Sequence, residues 1–211
     1  MSALAILLVL LSALFHALRS LFTKESGDKQ VFLWLYSIIA LLSFSPLFIY
    51  FLFRVGVTNS AAYAWCAGSG FIHFLYWIFL TLISVAFYSI VDKMAVNHIH
   101  PILFAFFHLF CGMCYYTPYI LLTKKVDSIK KEWHSGSVRI IMAGVIGIIG
   151  YSMILIAFTI ERVSYIVSLR QLSVVFAVLM GSFWLKEKHT AIRLSGAVII
   201  FGGCFLISMA R

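Results

Sequence analysis

Arg170 stands about seven residues beyond Val163, roughly 10 Å into an apolar run at helical rise. A charge at that depth costs at least ~2.5 kcal/mol unless it finds a partner or reaches the interface. With Gln171 beside it and Tyr165 nearby, the guanidinium reads as a cationic anchor for an anionic or zwitterionic solute. The other reading is a side chain that snorkels to the headgroups. His73, Tyr76 and Trp77 follow an i, i+3, i+4 spacing, which puts an imidazole and two aromatic rings on one helix face where they can line a cavity. An interfacial aromatic belt explains Tyr76 and Trp77 equally well. Tyr88 and Tyr151 add hydroxyls in apolar surroundings, so the candidate substrate-binding set is Arg170, Gln171, His73, Tyr76, Trp77, Tyr88 and Tyr151. His16 and His108 stand within apolar runs too, where imidazole relays protons or bonds a neighbouring helix.

Other chemistries lack their residues. Asp92, Glu161 and Glu187 fall at the ends of apolar runs beside Lys93, Arg162 and Lys186 or Lys188, which points to local ion pairing and away from a buried coupling carboxylate. Cys111-x-x-Cys114 lies among Phe, Met and Tyr, where an apolar setting opposes the thiolate that redox or metal chemistry needs. No second Cys or His pair has zinc spacing, so no metal and no cofactor is expected. His-Glu-x-x-His and Gly-x-Ser-x-Gly are missing, and the last apolar run carries no Lys for a Schiff base. No enzyme activity is expected.

These side chains must be positioned inside a bilayer. Of 211 residues, 63% are hydrophobic and 11% charged, against roughly 25% charged in soluble domains. Residues 30–53, 55–91 and 94–123 contain no Asp, Glu, Lys or Arg, and about 20 such residues cross the hydrocarbon as a helix. The reading is an all-α integral membrane protein of about seven transmembrane helices, at 2–22, 31–53, 66–92, 101–123, 138–160, 163–185 and 192–209. Residues 61–92 could fold back as two crossings, but two spans of at least ~17 residues would leave nothing for the turn. One long tilted helix, bent near Gly68 and Gly70, is therefore expected. The formal charge of +9 sits in loops and not on a folded face, so nucleic acid is not the partner; the lipid bilayer is. Gly144, Gly147 and Gly150 form one small-residue stripe, and Ser195, Gly196, Gly202 and Gly203 another, each expected to let a neighbouring helix approach closely.

An internal repeat underlies the pattern. Ala17-Leu-Arg-Ser-Leu-Phe-Thr-Lys24 is echoed by Ala86-Phe-Tyr-Ser-Ile-Val-Asp-Lys93, and Pro46-Leu-Phe-Ile-Tyr50 by Pro118-Tyr-Ile-Leu-Leu122. Repeated multi-helix units in a very apolar chain are the signature of secondary transporters.

Leu11-Ser-Ala-Leu-Phe-His-Ala-Leu18, the loop Lys24-Glu-Ser-Gly-Asp-Lys29 and the stretch from Val163 to Glu187 resemble the EamA-type drug/metabolite transporters. The resemblance implies a multi-pass transporter or exporter of small metabolites in the inner (plasma) membrane, built from two five-helix units in inverted orientation. Residues 1–80 would be a partial first repeat of three helices, the third merged, and residues 81–211 the second repeat. The family's third-helix pattern, from Ala67, runs directly into its sixth, ending at Lys93, so helices four and five have no counterpart. A net loss of three helices amounts to about 70 residues at ~20 per crossing. With three crossings between them, the basic loops of the two halves would face opposite sides, and the charge balance places the amino terminus in the cytoplasm. A homo-oligomer lending helices from a second copy would compensate for the loss; a non-transporting structural or accessory protein, an inactive remnant of a ten-helix transporter, is the alternative.

Overall fold

The computed structural model of the chain describes residues 2–56, 61–79, 82–184 and 190–209. Within them run nine helices: α1 (Ala3–Glu25), α2 (Lys29–Arg54), α3 (Ala61–Phe79), α4 (Leu82–Val96), α5 (Pro101–Thr123), α6 (Val126–Ile160), α7 (Val163–Arg170), α8 (Leu172–Trp184) and α9 (Thr190–Met209). Among the described residues, α1, α2, α5, α6 and the combined stretch Val163–Phe183 are long and apolar enough to cross a membrane. The chain is an all-α multi-pass membrane protein.

Short polar groups set the helix ends. The Ser2 hydroxyl accepts from the Ala5 amide, and the Asp28 carboxylate accepts from the amides of Gln30 and Val31, satisfying donors that a helix start leaves unpaired. Pro46 lies inside α2 and Pro118 inside α5. A proline cannot donate to the carbonyl one turn back, and in α2 the Ser45 hydroxyl donates to that carbonyl, Leu42 O, at 2.8 Å. In α6 the backbone leaves helical angles at Gly136, which divides a polar amino-terminal segment from the apolar stretch behind it.

The run expected to make one long crossing is a helical hairpin. In a single helix Ser69 and Asp92 would be about 34 Å apart at 1.5 Å per residue; here the Ser69 hydroxyl donates to Asp92 Oδ1 at 2.6 Å. Ending that run at Asp92 left no room for a turn, but α4 continues one turn further to Val96 and so supplies it. Gly68 and Gly70 do not bend a long helix. A Cβ on Gly70 would stand 2.7 Å from the Gly112 amide nitrogen, so α3 and α5 cross there in backbone contact, while a Cβ on Gly68 would meet nothing within 4 Å.

The hairpin restores the topology that a single crossing would have broken. On one face, Phe51 near the end of α2 stacks on His100 at 4.4 Å, Trp65 near the start of α3 on His98 at 6.3 Å, and the Ser2 amide donates to Glu161 at 2.7 Å. The opposite face gathers the α1–α2 and α5–α6 connections. There Lys124 pairs with Asp28 at 2.7 Å, Arg139 with Glu25 at 3.0 Å, and Glu132 accepts from the Asp28 amide at 3.0 Å. Burial alone would raise the Asp28 pKa, but the Lys124 ammonium and the Val31 and Gln30 amides outweigh it and hold the carboxyl below its ordinary value. Lys24, Lys29, Lys124, Lys125, Lys130, Lys131 and Arg139 therefore share one face, with Arg54, Lys93 and Arg162 on the other. The expected separation of the basic loops is overturned, and with it the placement of the amino terminus that rested on it.

Tight helix packing centres on α6. A Cβ on Gly144 would stand 2.6 Å from Tyr36 O on α2, one on Gly147 3.2 Å from Arg19 Cδ, and one on Gly150 3.0 Å from Phe15 Cβ on α1. The Ser12 hydroxyl donates to Gly150 O at 2.6 Å in the same seam. The α9 stripe differs: a Cβ on Gly196, Gly202 or Gly203 meets nothing within 4 Å among the described residues, so these glycines hold no close crossing there.

Two expectations follow. With the native cysteines replaced, single cysteines at Lys24 and Asp127 should be labelled from the same side of sealed vesicles and a cysteine at Asn97 from the other; labelling of Asn97 with Lys24, opposite Asp127, would restore the single crossing. Gly144→Val should overpack the α6–α2 contact and lower stability by about 1–3 kcal/mol, seen as a reduced Tm in detergent, whereas Gly202→Val should stay within about 0.5 kcal/mol.

Candidate substrate cavity

Asp92 lies on α4 one turn inside its end and is only 1% exposed. Its Oδ1 accepts from Ser69 on α3 at 2.6 Å and its Oδ2 from the Tyr151 hydroxyl on α6 at 2.7 Å, so two helices supply the donors that the bilayer cannot. The expected local pairing with Lys93 does not occur. Neighbouring residues on a helix point about 100° apart, and the Lys93 ammonium instead donates to the carbonyls of Phe158 and, at 3.4 Å, Glu161, capping the end of α6. The Glu161 side chain accepts from the Ser2 amide, and Glu187 lies outside the described residues. A buried carboxylate is present after all, in the helix that repeats α1.

Around Asp92 the rings form a ladder. Tyr88 and His73 stand 4.2 Å apart between centroids, His73 and His108 4.8 Å, and His108 and Tyr151 4.4 Å. The His73 Nδ1–H donates to Ser69 O at 2.9 Å and the His108 Nδ1–H to Phe104 O at 3.3 Å. Because a carbonyl only accepts, each ring carries a proton on Nδ1, and in the neutral imidazole Nε2 is then an acceptor.

These rings wall a cavity of about 60 Å³ at the centre of the bundle, closed further by His16 and Arg19 from α1, Tyr36 from α2, Tyr76 and Trp77 from α3, and Gly147 from α6. At roughly 10–15 Å³ per water the centre has room for several waters or a small polar group. It shares Arg19, Tyr36, Tyr76 and Trp77 with a wider space of about 200 Å³ that reaches Thr23, Lys24 and Lys29 on the basic face. His16, Ser20 and Lys24 also border a groove of about 320 Å³ against Ser173, Val174, Ala177 and Val178 of α8.

Arg170 is the last residue of α7 and its guanidinium lies 5.8 Å over the Tyr88 ring. The helix tightens immediately after it, where Gln171 keeps helical angles (φ −61°, ψ −16°) and its backbone amide turns back to Ser168 O at 3.1 Å. Arg170 thus faces the cavity and not the headgroups. The Arg19 guanidinium lies 5.5 Å over the Tyr36 ring and meets His16 Nδ1 at 2.9 Å. Neither arginine forms an ion pair among the described residues.

Of the seven residues proposed from sequence, the structure brings six to this wall: His73, Tyr76, Trp77, Tyr88, Tyr151 and Arg170. Gln171, at the junction of α7 and α8, lies off the wall. His16 and His108, noted in sequence as apolar-run histidines, join the wall, as do Arg19 and Tyr36, which were not singled out. Arg19 and Tyr36 carried a signal in the repeat, where they align with Tyr88 and His108.

An apolar bundle with a polar central cavity, assembled from segments that enter from opposite faces, has the architecture of a secondary transporter. Residues 74–209 match the model of the EamA-like transporter family. The chain belongs to that family, whose members are membrane transporters of small molecules. The matched stretch begins within α3 and takes in α4 to α9. No curated relative and no solved structure matches the chain.

Asp92→Ala should leave the Ser69 and Tyr151 hydroxyls buried without their acceptor, at about 1–3 kcal/mol per group. The expected reading is a lowered Tm in detergent that is largely recovered when Ser69→Ala and Tyr151→Phe are added; no recovery would mean that the carboxylate does not organise these donors.

Proposed function

We propose that the chain carries small organic metabolites across the plasma membrane through this cavity, as a transporter or exporter whose basic face lies in the cytoplasm. The observation that carries the reading is the pair of guanidinium groups in a polar cavity at the middle of the bundle, neither of them ion-paired among the described residues. A group kept only for structure would be paired or replaced, because an unpartnered charge at this depth is costly. The orientation follows from the Lys and Arg residues collected on one face, which membranes retain inside.

Relative to the ten-helix pattern of the resemblance, α1 to α3 stand for the first three helices and α4 to α9 for helices six to ten. Two helices are then without a counterpart. An even number leaves both halves in the orientation their loop charges require, which favours a working carrier over a remnant, and a second copy of the chain could supply the missing pair.

Purified protein in liposomes, screened against a mixed metabolite pool, should show flux of at least one solute. Arg170→Ala should abolish it without lowering the amount of inserted protein. A folded, inserted protein that moves no solute would leave the accessory or remnant reading.

A further inference from the structure

We propose that the cavity takes a small organic anion, a carboxylate or phosphate joined to a planar body, in preference to cations and neutral solutes. This rests on the cavity being the substrate path.

Positive groups mark that path from its mouth inward. Lys24 and Lys29 border the wide outer space, Arg19 stands between it and the centre, and Arg170 lies at the centre. The ring faces of Tyr36 and Tyr88 satisfy part of each guanidinium but bring no countercharge. Asp92 is the one carboxylate close by among the described residues, and each of its oxygens is taken by a hydroxyl donor. Two cations and at most one anion leave at least one positive charge that the protein does not balance. A buried charge of this kind is relieved by an opposite charge and made worse by a like one. A guanidinium carries five N–H donors, of which Arg19 spends one on His16 Nδ1, so donors remain at each arginine for the two-pronged contact that carboxylates and phosphates accept.

Shape supports the same chemistry. The centre, about 60 Å³, suits a compact head group, and the outer space, about 200 Å³, shares Tyr36, Tyr76 and Trp77 with it as ring surfaces for a flat body. The anionic group would enter first and meet Arg170, with the body lying among those rings.

The test is calorimetric titration of the protein in phosphatidylcholine nanodiscs with four probes of similar body: phenyl phosphate, benzoate, benzylamine and benzyl alcohol. The two anions should bind roughly ten- to a hundred-fold more tightly than the amine and the alcohol, the range expected for charge-assisted bonds. Arg170→Gln and Arg19→Gln should each remove most of that preference, and Arg170→Lys should restore part of it. Equal affinity for all four probes, or a preference that survives both glutamine variants, overturns the proposal, and the wild-type comparison decides even if a variant fails to fold. Counterflow in liposomes separates the two readings. Transport of a cationic or neutral solute, indifferent to Arg170→Gln, would sink the anion and keep the carrier; tight phenyl phosphate binding without flux of any solute would keep the anion site and sink the carrier. Adding phosphatidylglycerol to the nanodiscs distinguishes sources of the same chemistry, since competition with phenyl phosphate identifies a lipid head group and its absence an aqueous solute.

Discussion

Water cannot reach Asp92 from the hydrocarbon, so each of its oxygens has to be met by a donor that the protein supplies. Ser69 on α3 provides one and Tyr151 on α6 the other, which ties the two arms of the hairpin to each other and both to the longest helix of the bundle. Once these three helices are fixed, His73 and Tyr88 are brought over one another, because each sits about one turn from Ser69 or Asp92, while His108 comes against Tyr151 from α5, which crosses α3 at Gly70 and Gly112. The cavity is what remains between those rings and α1. Its existence follows from satisfying one carboxylate.

The repeat explains why residues from distant parts of the chain converge at one depth. Aligning Ala17 with Ala86 places Arg19 on Tyr88, and aligning Pro46 with Pro118 places Tyr36 on His108. All four line the cavity. The first-half segment begins on the face where Ser2 meets Glu161, and α4 ends on that same face, where Lys93 caps α6; the two units therefore enter from opposite sides. Equivalent positions in two inverted units coincide only near the mid-plane between the faces, where a substrate path must be sealed and opened. The basic loops obey the same arrangement, since inverted units send alternate connections to one side, and here Lys24, Lys29, Lys124, Lys125 and Arg139 lie together.

Much of this was legible in the chain because it depends on local pattern. Membrane class follows from charge-free runs, and the wall residues His73, Tyr76 and Trp77 follow from spacing on one helix. Asp92 was misread because two facts about it are non-local. Its helix runs one turn past the polar residues that looked like a terminus, and its partners Ser69 and Tyr151 lie on other helices. The hairpin was missed for a related reason: an uninterrupted apolar segment carries no Pro or charge to mark a turn, so only the pairing across it, Ser69 with Asp92 and Gly70 with Gly112, shows that it folds back. Likewise glycine spacing identified both α6 and α9 as smooth, but smoothness becomes contact only where a neighbour is present. In α6 Tyr36, Arg19 and Phe15 fill the space; in α9 the described residues leave it empty.

Arg170 illustrates how a charge is kept available inside a membrane. A carboxylate partner would satisfy it fully and leave nothing for a solute, whereas an isolated guanidinium at this depth costs at least ~2.5 kcal/mol. Its actual surroundings lie between these limits. It closes α7, and Gln171 after it keeps helical angles, so the backbone runs on into α8. The Tyr88 ring adds about 0.5–2 kcal/mol as a cation–π contact. That contact offsets part of the cost of burial without a protein counter-ion. The remainder is what an anionic solute would relieve, so a guanidinium held over a ring stays available to a solute in a way that an ion-paired one does not.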